Sequence, residues 1–199
     1  MKHLYDDKTI RVWIAQDSDY KFILQLCKQY RDFEFFYVPD ESLKYEIQKG
    51  NIIAFDYNVF EAGYIWVTFP KNFKSRINQL AVDRELWRKK VGSTVIKVYE
   101  QLANKAGMWG SYLTCNTNTP GNDFWPTVGY KEIGRKEGLH RKGFNLIWGK
   151  LLSNSNNLLF KPMVTDIKSV ESYVNQSSIS VSVRRKKEEA IIQQGIFLF

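Results

Sequence analysis

The sequence predicts an α+β fold, a mixed α/β arrangement built on one central sheet. Three observations support this class. Residues 9–15 alternate in the manner of a strand, further strand-like segments follow one another between residues 51 and 82, and residues 91–106 show an amphipathic helical pattern. Strands and helices are therefore mixed along the chain rather than segregated into separate halves.

The first half of the chain is punctuated by clear turn and capping residues. Ile10, Val12 and Ile14 occupy one face of the first strand, and Asp17 or Ser18 can cap the helix that follows. A turn near 57–62 and a polar connection at 71–75 separate the later strands. The predicted elements are a strand at 9–15, helices at 17–31 and 39–50, and strands at 51–56, 63–69 and 77–82.

The second half continues the mixed order as far as residue 150. The elements predicted there are a long helix at 91–106, a strand at 111–115, a short helix at 122–128 and a hairpin formed by 130–135 and 143–148. A polar run at 153–157 then indicates a linker. We therefore predict one domain over residues 1–150 and a C-terminal extension over 151–199.

The extension ends in the apolar run Ile196–Phe199, so we expect it to dock on the domain or on a second subunit, which leaves a homodimer open. The net charge of +8 and the pI of about 9.3 are compatible with an acidic partner. No apolar run is long enough to span a bilayer and no signal peptide is visible, so we expect a cytoplasmic protein without membrane contact. The cysteines, Cys27 and Cys115, are expected to be buried thiols, and no metal-ligand spacing is present.

A basic turn between the strand at 77–82 and the helix at 91–106 is the most informative local feature. It reads Trp87-Arg88-Lys89-Lys90 and runs directly into the helix. The free N–H groups and the dipole of a helix N-terminus attract an anion and disfavour cations. Cations at this position therefore indicate a bound anion such as a phosphate.

These segments resemble the Gcn5-related N-acetyltransferase (GNAT) superfamily over residues 9–150. The resemblance is carried by the strand residues Ile77, Leu80 and Val82, by the loop residues Trp87, Lys90 and Gly92, and by the corner residues Asn118, Phe124, Trp125, Gly129 and Tyr130. It implies a central, mostly antiparallel sheet flanked by helices. It also implies acetyl-CoA, or another acyl-CoA, as the cofactor and direct acyl transfer to an amine.

The resemblance also assigns roles to single residues. The backbone N–H near Leu80 would donate to the thioester oxygen, and Gln79 and Tyr130 are further candidate catalytic residues. His140 is a candidate base from its own chemistry, because an imidazole changes charge near neutral pH. The cofactor would be bound by Leu80, Val82, Arg88, Lys89, Lys90, Val91, Gly92, Ser93, Asn118 and Trp125. Lys90 stands where the family carries its first loop glycine. Trp125 stands at the family's acidic tyrosine, and an indole cannot protonate a thiolate.

The general base stays open, because Gln79 cannot take a proton where relatives sometimes carry a glutamate. Carboxylates that can lie near the cleft are Glu34, Asp56, Glu61 and Asp83. The acceptor is predicted to contact Phe35, Tyr37, Arg135 and Arg141, and aromatic groups beside cations suit a nucleotide or an acidic peptide. Three functions compete: an acyltransferase for a small-molecule or protein amine, a nucleic-acid (DNA base) modifying enzyme of phage type, and a non-catalytic binding module.

Overall fold

A computed structural model describes residues 3–30, 39–69, 74–137 and 144–152. The predicted site residues Glu34, Phe35, Tyr37, His140 and Arg141 lie outside these ranges, as does the extension beyond residue 152. The chain divides into two compact units. The described residues of the first fall within Met1–Thr68 and Ile77–Leu102, and those of the second within Phe69–Arg76 and Ala103–Ser155.

The first unit is a sheet whose strands follow the order β1-β2-β3-β4-β5, and its first four strands pair antiparallel. Their bounds are β1 His3–Asp6, β2 Ile10–Ile14, β3 Ile52–Tyr57, β4 Phe60–Thr68 and β5 Lys74–Val82, the last of which begins in the second unit. Gly63 on β4 allows a close approach to β5. A Cβ at this position would lie 2.2 Å from the carbonyl oxygen of Ala81 and 2.4 Å from the ring of Phe55.

Two helices cover this sheet, α1 over Tyr20–Gln29 and α2 over Asp40–Gln48. A 3₁₀ turn at Asp17–Asp19 leads into α1, whose buried residues Ile23, Leu26 and Cys27 recur at helical spacing. The core between helices and strands includes Trp13, Leu43, Ile47, Ile52, Tyr64 and Ala81. The helix α3, Val91–Lys105, begins in this unit directly after the basic residues Arg88, Lys89 and Lys90.

The second unit has the strand order β6-β8-β7 with antiparallel pairing, and β5 begins beside β6, where the hydroxyl of Ser75 donates to the carbonyl of Gly110. Its elements are β6 Gly110–Asn116, a 3₁₀ turn Pro120–Asp123, the one-turn helix α4 Phe124–Thr127, β7 Lys131–Glu137 and β8 Phe144–Leu151. The register places Asn116 opposite Asn145 at the end of β6 that leads to α4.

The α+β class, with a mostly antiparallel sheet flanked by helices, is confirmed. Three local predictions are wrong. The strand β1 was not expected, because Leu4 is its one buried residue and gives no readable alternation. β5 begins at Lys74 rather than at residue 77, since the Lys74 ammonium lies over the ring of Trp109, 5.4 Å from its centroid, and the residue is buried. The turn expected at 57–62 contains only Asn58 and Val59.

Candidate active site

The basic loop, residues 83–90, connects β5 to α3 and is held by local backbone bonds. The Asp83 carboxylate accepts a hydrogen bond from the N–H of Glu85 at 2.9 Å, which caps a 3₁₀ turn at Arg84–Leu86. The N–H of Lys89 then donates to the carbonyl of Leu86 at 3.2 Å. These bonds turn the chain before α3, and Arg88, Lys89 and Lys90 are exposed in the three residues that precede the helix.

Two residues of this loop adopt left-handed backbone conformations. Arg88 has a φ of 67° and Lys90 a φ of 64°. Such a conformation costs a residue other than glycine roughly 1 kcal/mol. Lys90 stands where the resemblance described above implies a glycine, and it adopts the left-handed conformation that glycine adopts most easily.

The N-terminus of α3 has the features of an anion site. The carbonyl of Lys90 accepts bonds from the N–H of Thr94 at 3.0 Å and from the hydroxyl of Ser93 at 2.8 Å. Within the described residues, the N–H groups of Val91, Gly92 and Ser93 have no hydrogen-bond partner. Three free donors at the positive end of a 15-residue helix, beside exposed cations, fit a pyrophosphate.

The end of β5 presents a carbonyl that already has two donors. The N–H of Asp83 donates to Ala62 on β4, so by strand alternation the main-chain groups of Val82 face the opposite side of β5. There the Val82 carbonyl accepts bonds from the Tyr30 hydroxyl at 2.6 Å and from the Trp87 indole at 2.8 Å. A carbonyl oxygen has two lone pairs, so a further donor at this oxygen must displace one of the two.

Gln79 directly precedes the half-buried Leu80 on β5. It is the last member of a chain of hydrogen bonds that begins at Cys27 and passes through Tyr64. Its amide oxygen accepts from the Tyr64 hydroxyl at 2.9 Å, and the Cys27 sulfur lies 2.9 Å from the same hydroxyl. Because the Tyr64 hydrogen goes to Gln79, the Cys27 thiol is the donor to Tyr64. Burial raises the pKa of Cys27 and raises the pKa of Tyr64 strongly, which keeps both groups protonated near neutral pH.

In the second unit, side-chain amides organise the segment that contains Asn118. The Asn116 amide oxygen accepts from the N–H of Asn118 at 3.0 Å. The Asn122 amide nitrogen donates to the carbonyls of Asn116 at 2.6 Å and Thr119 at 3.2 Å, and its oxygen accepts from the Trp148 indole at 3.1 Å. Asn118 itself is exposed on a segment that its neighbours position.

The aromatic corner predicted from the sequence is present and tightly packed. Trp125 and Tyr130 are 6% and 2% exposed, and their rings meet edge to face with centroids 5.4 Å apart. The Tyr130 hydroxyl donates to the Ser111 hydroxyl at 2.8 Å. Burial raises the pKa of the neighbouring Cys115 thiol to about 11, although hydrogen bonds with Thr119 and Trp125 oppose the shift. The catalytic role of Tyr130 stays a prediction, and its hydroxyl is already engaged within the unit.

Several candidate carboxylates have structural partners. Asp56 is buried and pairs with the guanidinium of Arg11 across β2 and β3, and Asp83 caps the basic loop. Burial raises the pKa of Glu61. Arg135, a predicted acceptor contact on β7, forms an ion pair with Glu132 on the same strand.

Cys27 and Cys115 are both free thiols, but Cys115 is only half-buried, contrary to expectation. Within the described ranges, no cluster of His, Cys, Asp and Glu side chains is arranged to bind a metal ion. No helix in the same ranges has the length and apolar character needed to cross a bilayer.

Four residues of the site were not identified from the sequence: Tyr30, Tyr64, Asn116 and Asn122. Neither Tyr30 nor Tyr64 belongs to a local motif, and only the fold shows that their hydroxyls reach Val82 and Gln79. A cluster of Asn residues between residues 116 and 122 was the available signal, since asparagine often stabilises loops through side-chain to backbone bonds.

Comparison with known proteins identifies the family. The acetyltransferase (GNAT) family profile matches residues 11–130, more than half of the chain. No curated protein matches the chain. Three solved structures that share the fold are each less than 25% identical to this chain, so they establish the fold alone.

Ard1 from Thermoplasma volcanium has a TM-score of 0.65 and 13% identity, and the alignment covers 73% of this chain and 99% of Ard1. The PaiA N-acetyltransferase from Thermoplasma acidophilum, in complex with coenzyme A, has a TM-score of 0.62 and 17% identity over 72% of this chain and 99% of PaiA. The ribosomal-protein-S18-alanine N-acetyltransferase from Escherichia coli has a TM-score of 0.61 and 12% identity, and the alignment covers 76% of this chain and 99% of that enzyme. The chain thus belongs to the acetyltransferase (GNAT) family, whose enzymes use acetyl-CoA as the acyl donor.

Proposed function

We propose that this enzyme transfers an acetyl group from acetyl-CoA directly to an amine, with the cofactor pyrophosphate bound at the N-terminus of α3. The observation that carries the proposal is the set of three unpartnered N–H groups at Val91, Gly92 and Ser93 behind the cations of the basic loop. Backbone donors and the helix dipole both favour a phosphate there. Arg88, Lys89 and Lys90 add the charge that a diphosphate requires.

The pantetheine arm would then pair with the end of β5, on the side that faces away from β4. The main-chain groups of Val82 face that side, and the Leu80 N–H is the proposed donor to the thioester oxygen, where it would stabilise the charge that develops during transfer. A pantetheine amide that pairs with the Val82 carbonyl has to displace Tyr30 or Trp87. Tyr30 is buried, whereas Trp87 is 44% exposed, so the Trp87 indole is the donor that leaves.

The proton balance follows from the groups that the chain offers. In the reaction the amine nitrogen forms a bond to the acetyl carbon, the carbon–sulfur bond breaks, the amine loses a proton and the departing thiolate gains one. The thioester supplies the activated acetyl group. The Gln79 amide holds no titrating proton, and its oxygen is fixed by Tyr64, so Gln79 orients groups rather than removing a proton. Trp125 has no acidic proton to give to the thiolate. Since neither Gln79 nor Trp125 can transfer a proton, solvent takes the proton from the amine and supplies one to the thiolate.

The acceptor is an amine of a small molecule or a protein in this proposal. A nucleic-acid acceptor was the alternative predicted from the cations of the hairpin at residues 130–148, among them Arg135 and Arg141. The described part of that hairpin carries mixed charge, because Glu132 and Glu137 lie among Lys131, Arg135 and Lys136 on β7. The ion pair of Arg135 with Glu132 further reduces the charge available to a phosphate backbone. This pattern favours a small or peptide amine.

Calorimetric titration with acetyl-CoA, with free CoA as a second ligand, tests the cofactor site. We expect a dissociation constant in the micromolar range for acetyl-CoA and a change in indole fluorescence on binding. The Trp87→Phe variant should bind without the Trp87 part of that change. Absence of binding by the wild-type protein would contradict the proposal. Transfer is then followed by mass spectrometry of an amine panel that includes polyamines, peptide N-termini and DNA.

A further inference from the structure

The turn between β3 and β4 has an unusually apolar surface. We call residues 57–60, Tyr57-Asn58-Val59-Phe60, the hairpin tip. Val59 is 69% exposed and Phe60 is 74% exposed, the two most exposed large apolar side chains among the described residues. Hairpin turns are usually polar, so two neighbouring apolar side chains in solvent indicate a surface that binds something.

The backbone of the hairpin tip points in the same direction. Asn58 has a φ of 50° and Val59 a φ of 67°, the left-handed pair that a two-residue hairpin requires. Asparagine tolerates this region, but a β-branched residue is disfavoured there and glycine is the usual choice at the second position. The chain therefore keeps an apolar side chain where it costs stability, and such strain is concentrated at functional sites.

The hairpin tip lies next to the proposed pyrophosphate site. The Lys89 ammonium of the basic loop lies 6.0 Å from the centre of the Tyr57 ring. In acetyl-CoA the adenosine is joined to the pyrophosphate by a single ester linkage. A pyrophosphate at the start of α3 therefore brings the adenine within reach of surfaces that adjoin the basic loop, and the hairpin tip is such a surface.

We propose that the hairpin tip is a subsite for the adenine base of the cofactor, with Phe60 stacking on the base and Lys89 contacting the phosphates. This inference rests on the proposed function. A purine presents one flat apolar face, which matches a single exposed aromatic ring, and stacking on such a ring is tolerant of a mobile ligand end. Two side chains form too small an area for a stable protein interface, which needs about 800 Å² on each partner.

Titration of the full chain with two ligands tests the subsite. Acetyl-CoA contains the nucleotide, whereas S-acetyl-4′-phosphopantetheine lacks it. We expect Phe60→Ala to weaken acetyl-CoA binding about tenfold and to leave the binding of S-acetyl-4′-phosphopantetheine unchanged, because the lost stacking concerns the base alone. Tyr45→Ala is the matched control. Like Phe60, Tyr45 is an exposed aromatic residue, 55% exposed, but it lies on α2, where the Lys49 ammonium is 4.1 Å from its ring centre.

The outcomes separate the two proposals. Unchanged acetyl-CoA affinity in Phe60→Ala, or an equal loss for both ligands, would overturn the adenine subsite and leave the proposed function standing. A wild-type protein that binds neither ligand would overturn both. A similar loss in Tyr45→Ala would also count against the subsite, since the effect would then not be specific to the hairpin tip. Circular dichroism of each variant verifies that the fold is retained.

Discussion

Two segments that contain the candidate site residues are stabilised in different ways. In the basic loop, residues 83–90, the chain is held by backbone turns and one capping carboxylate, and Arg88 and Lys90 lie in left-handed conformations. In the corner segment, residues 116–130, side-chain amides from Asn116 and Asn122 bond the backbone, and the one left-handed residue is Gly129, with a φ of 87°.

This difference separates two requirements of a binding site, which are contact with the ligand and a stable surrounding structure. The basic loop leaves backbone donors at the start of α3 unpartnered and surrounds them with exposed cations, so its interactions are completed by a ligand. The corner segment is bonded within itself by the Asn116 and Asn122 side chains and packs Trp125 and Tyr130 into the core. We therefore expect changes in the basic loop to alter mainly binding, and changes in the corner segment to alter mainly stability.

The largest effect is expected at the start of α3. Gly92→Glu places a bulky anion among the unpartnered N–H groups where the pyrophosphate would lie, and it should abolish acetyl-CoA binding, with at least a hundredfold loss of affinity by calorimetry. The same negative charge fills the anion site from within, so the free energy of unfolding should change little.

Lys97→Glu is the control for Gly92→Glu. Lys97 is exposed in the second turn of the same helix, and the substitution changes the net charge by a larger amount. Affinity for acetyl-CoA should fall only slightly in this variant, because the influence of a helix terminus is confined to its first turn. Unchanged affinity in Gly92→Glu would refute the placement of the pyrophosphate. A loss in Lys97→Glu larger than that in Gly92→Glu would show that net charge, and not position on the helix, decides the affinity.

A substitution in the corner segment should show the opposite behaviour. Asn122→Ala removes two bonds to backbone carbonyls and the acceptor of the Trp148 indole. We expect the free energy of unfolding in urea to fall by about 2 kcal/mol. Asn118→Ala keeps the N–H that bonds to Asn116 and should cost less stability. A smaller loss in Asn122→Ala than in Asn118→Ala would contradict the assignment of Asn122 as the residue that organises this segment.

The sequence was sufficient for most of the fold because its periodicities are strong. The helix α3 was predicted to begin at Val91, as observed, since the basic loop ends there and the apolar repeat begins. The strand β5 was predicted too short. Lys74 suggests a polar connection by its type, and its burial against Trp109 arises only when distant segments come together.

The site was predictable where it depends on backbone and not where it depends on side-chain contacts. The order of strand, loop and helix was enough to locate the basic loop and the N–H donors at the start of α3. These donors are main-chain groups, so their place depends on where the helix begins and not on side-chain contacts. The chain from Cys27 through Tyr64 to Gln79 joins residues far apart in sequence, and no local pattern predicts it. The bond from the Tyr30 hydroxyl to the Val82 carbonyl is also long-range, since 52 positions separate the two residues in the chain.

The smallest expected effect concerns the left-handed residues themselves. It is tested by placing glycine at the left-handed position of the basic loop and by removing it from that of the corner segment. Lys90→Gly should raise the free energy of unfolding by roughly 0.5–1 kcal/mol, because glycine adopts a φ of 64° without steric cost. Lys90→Ala removes the same charge but keeps the left-handed β-carbon, so it should show no such gain.

The mirror substitution belongs to the corner segment. Gly129→Ala introduces a β-carbon at a φ of 87°, 3.4 Å from the Lys150 side chain, and should lower the free energy of unfolding by about 1 kcal/mol or more. Both values come from urea titration of the full chain. If Lys90→Gly and Lys90→Ala gave the same stability, the left-handed backbone would not be a cost to the basic loop. The difference between the two segments would then lie in their hydrogen bonds alone, since Gly129 would no longer mark a contrast with Lys90.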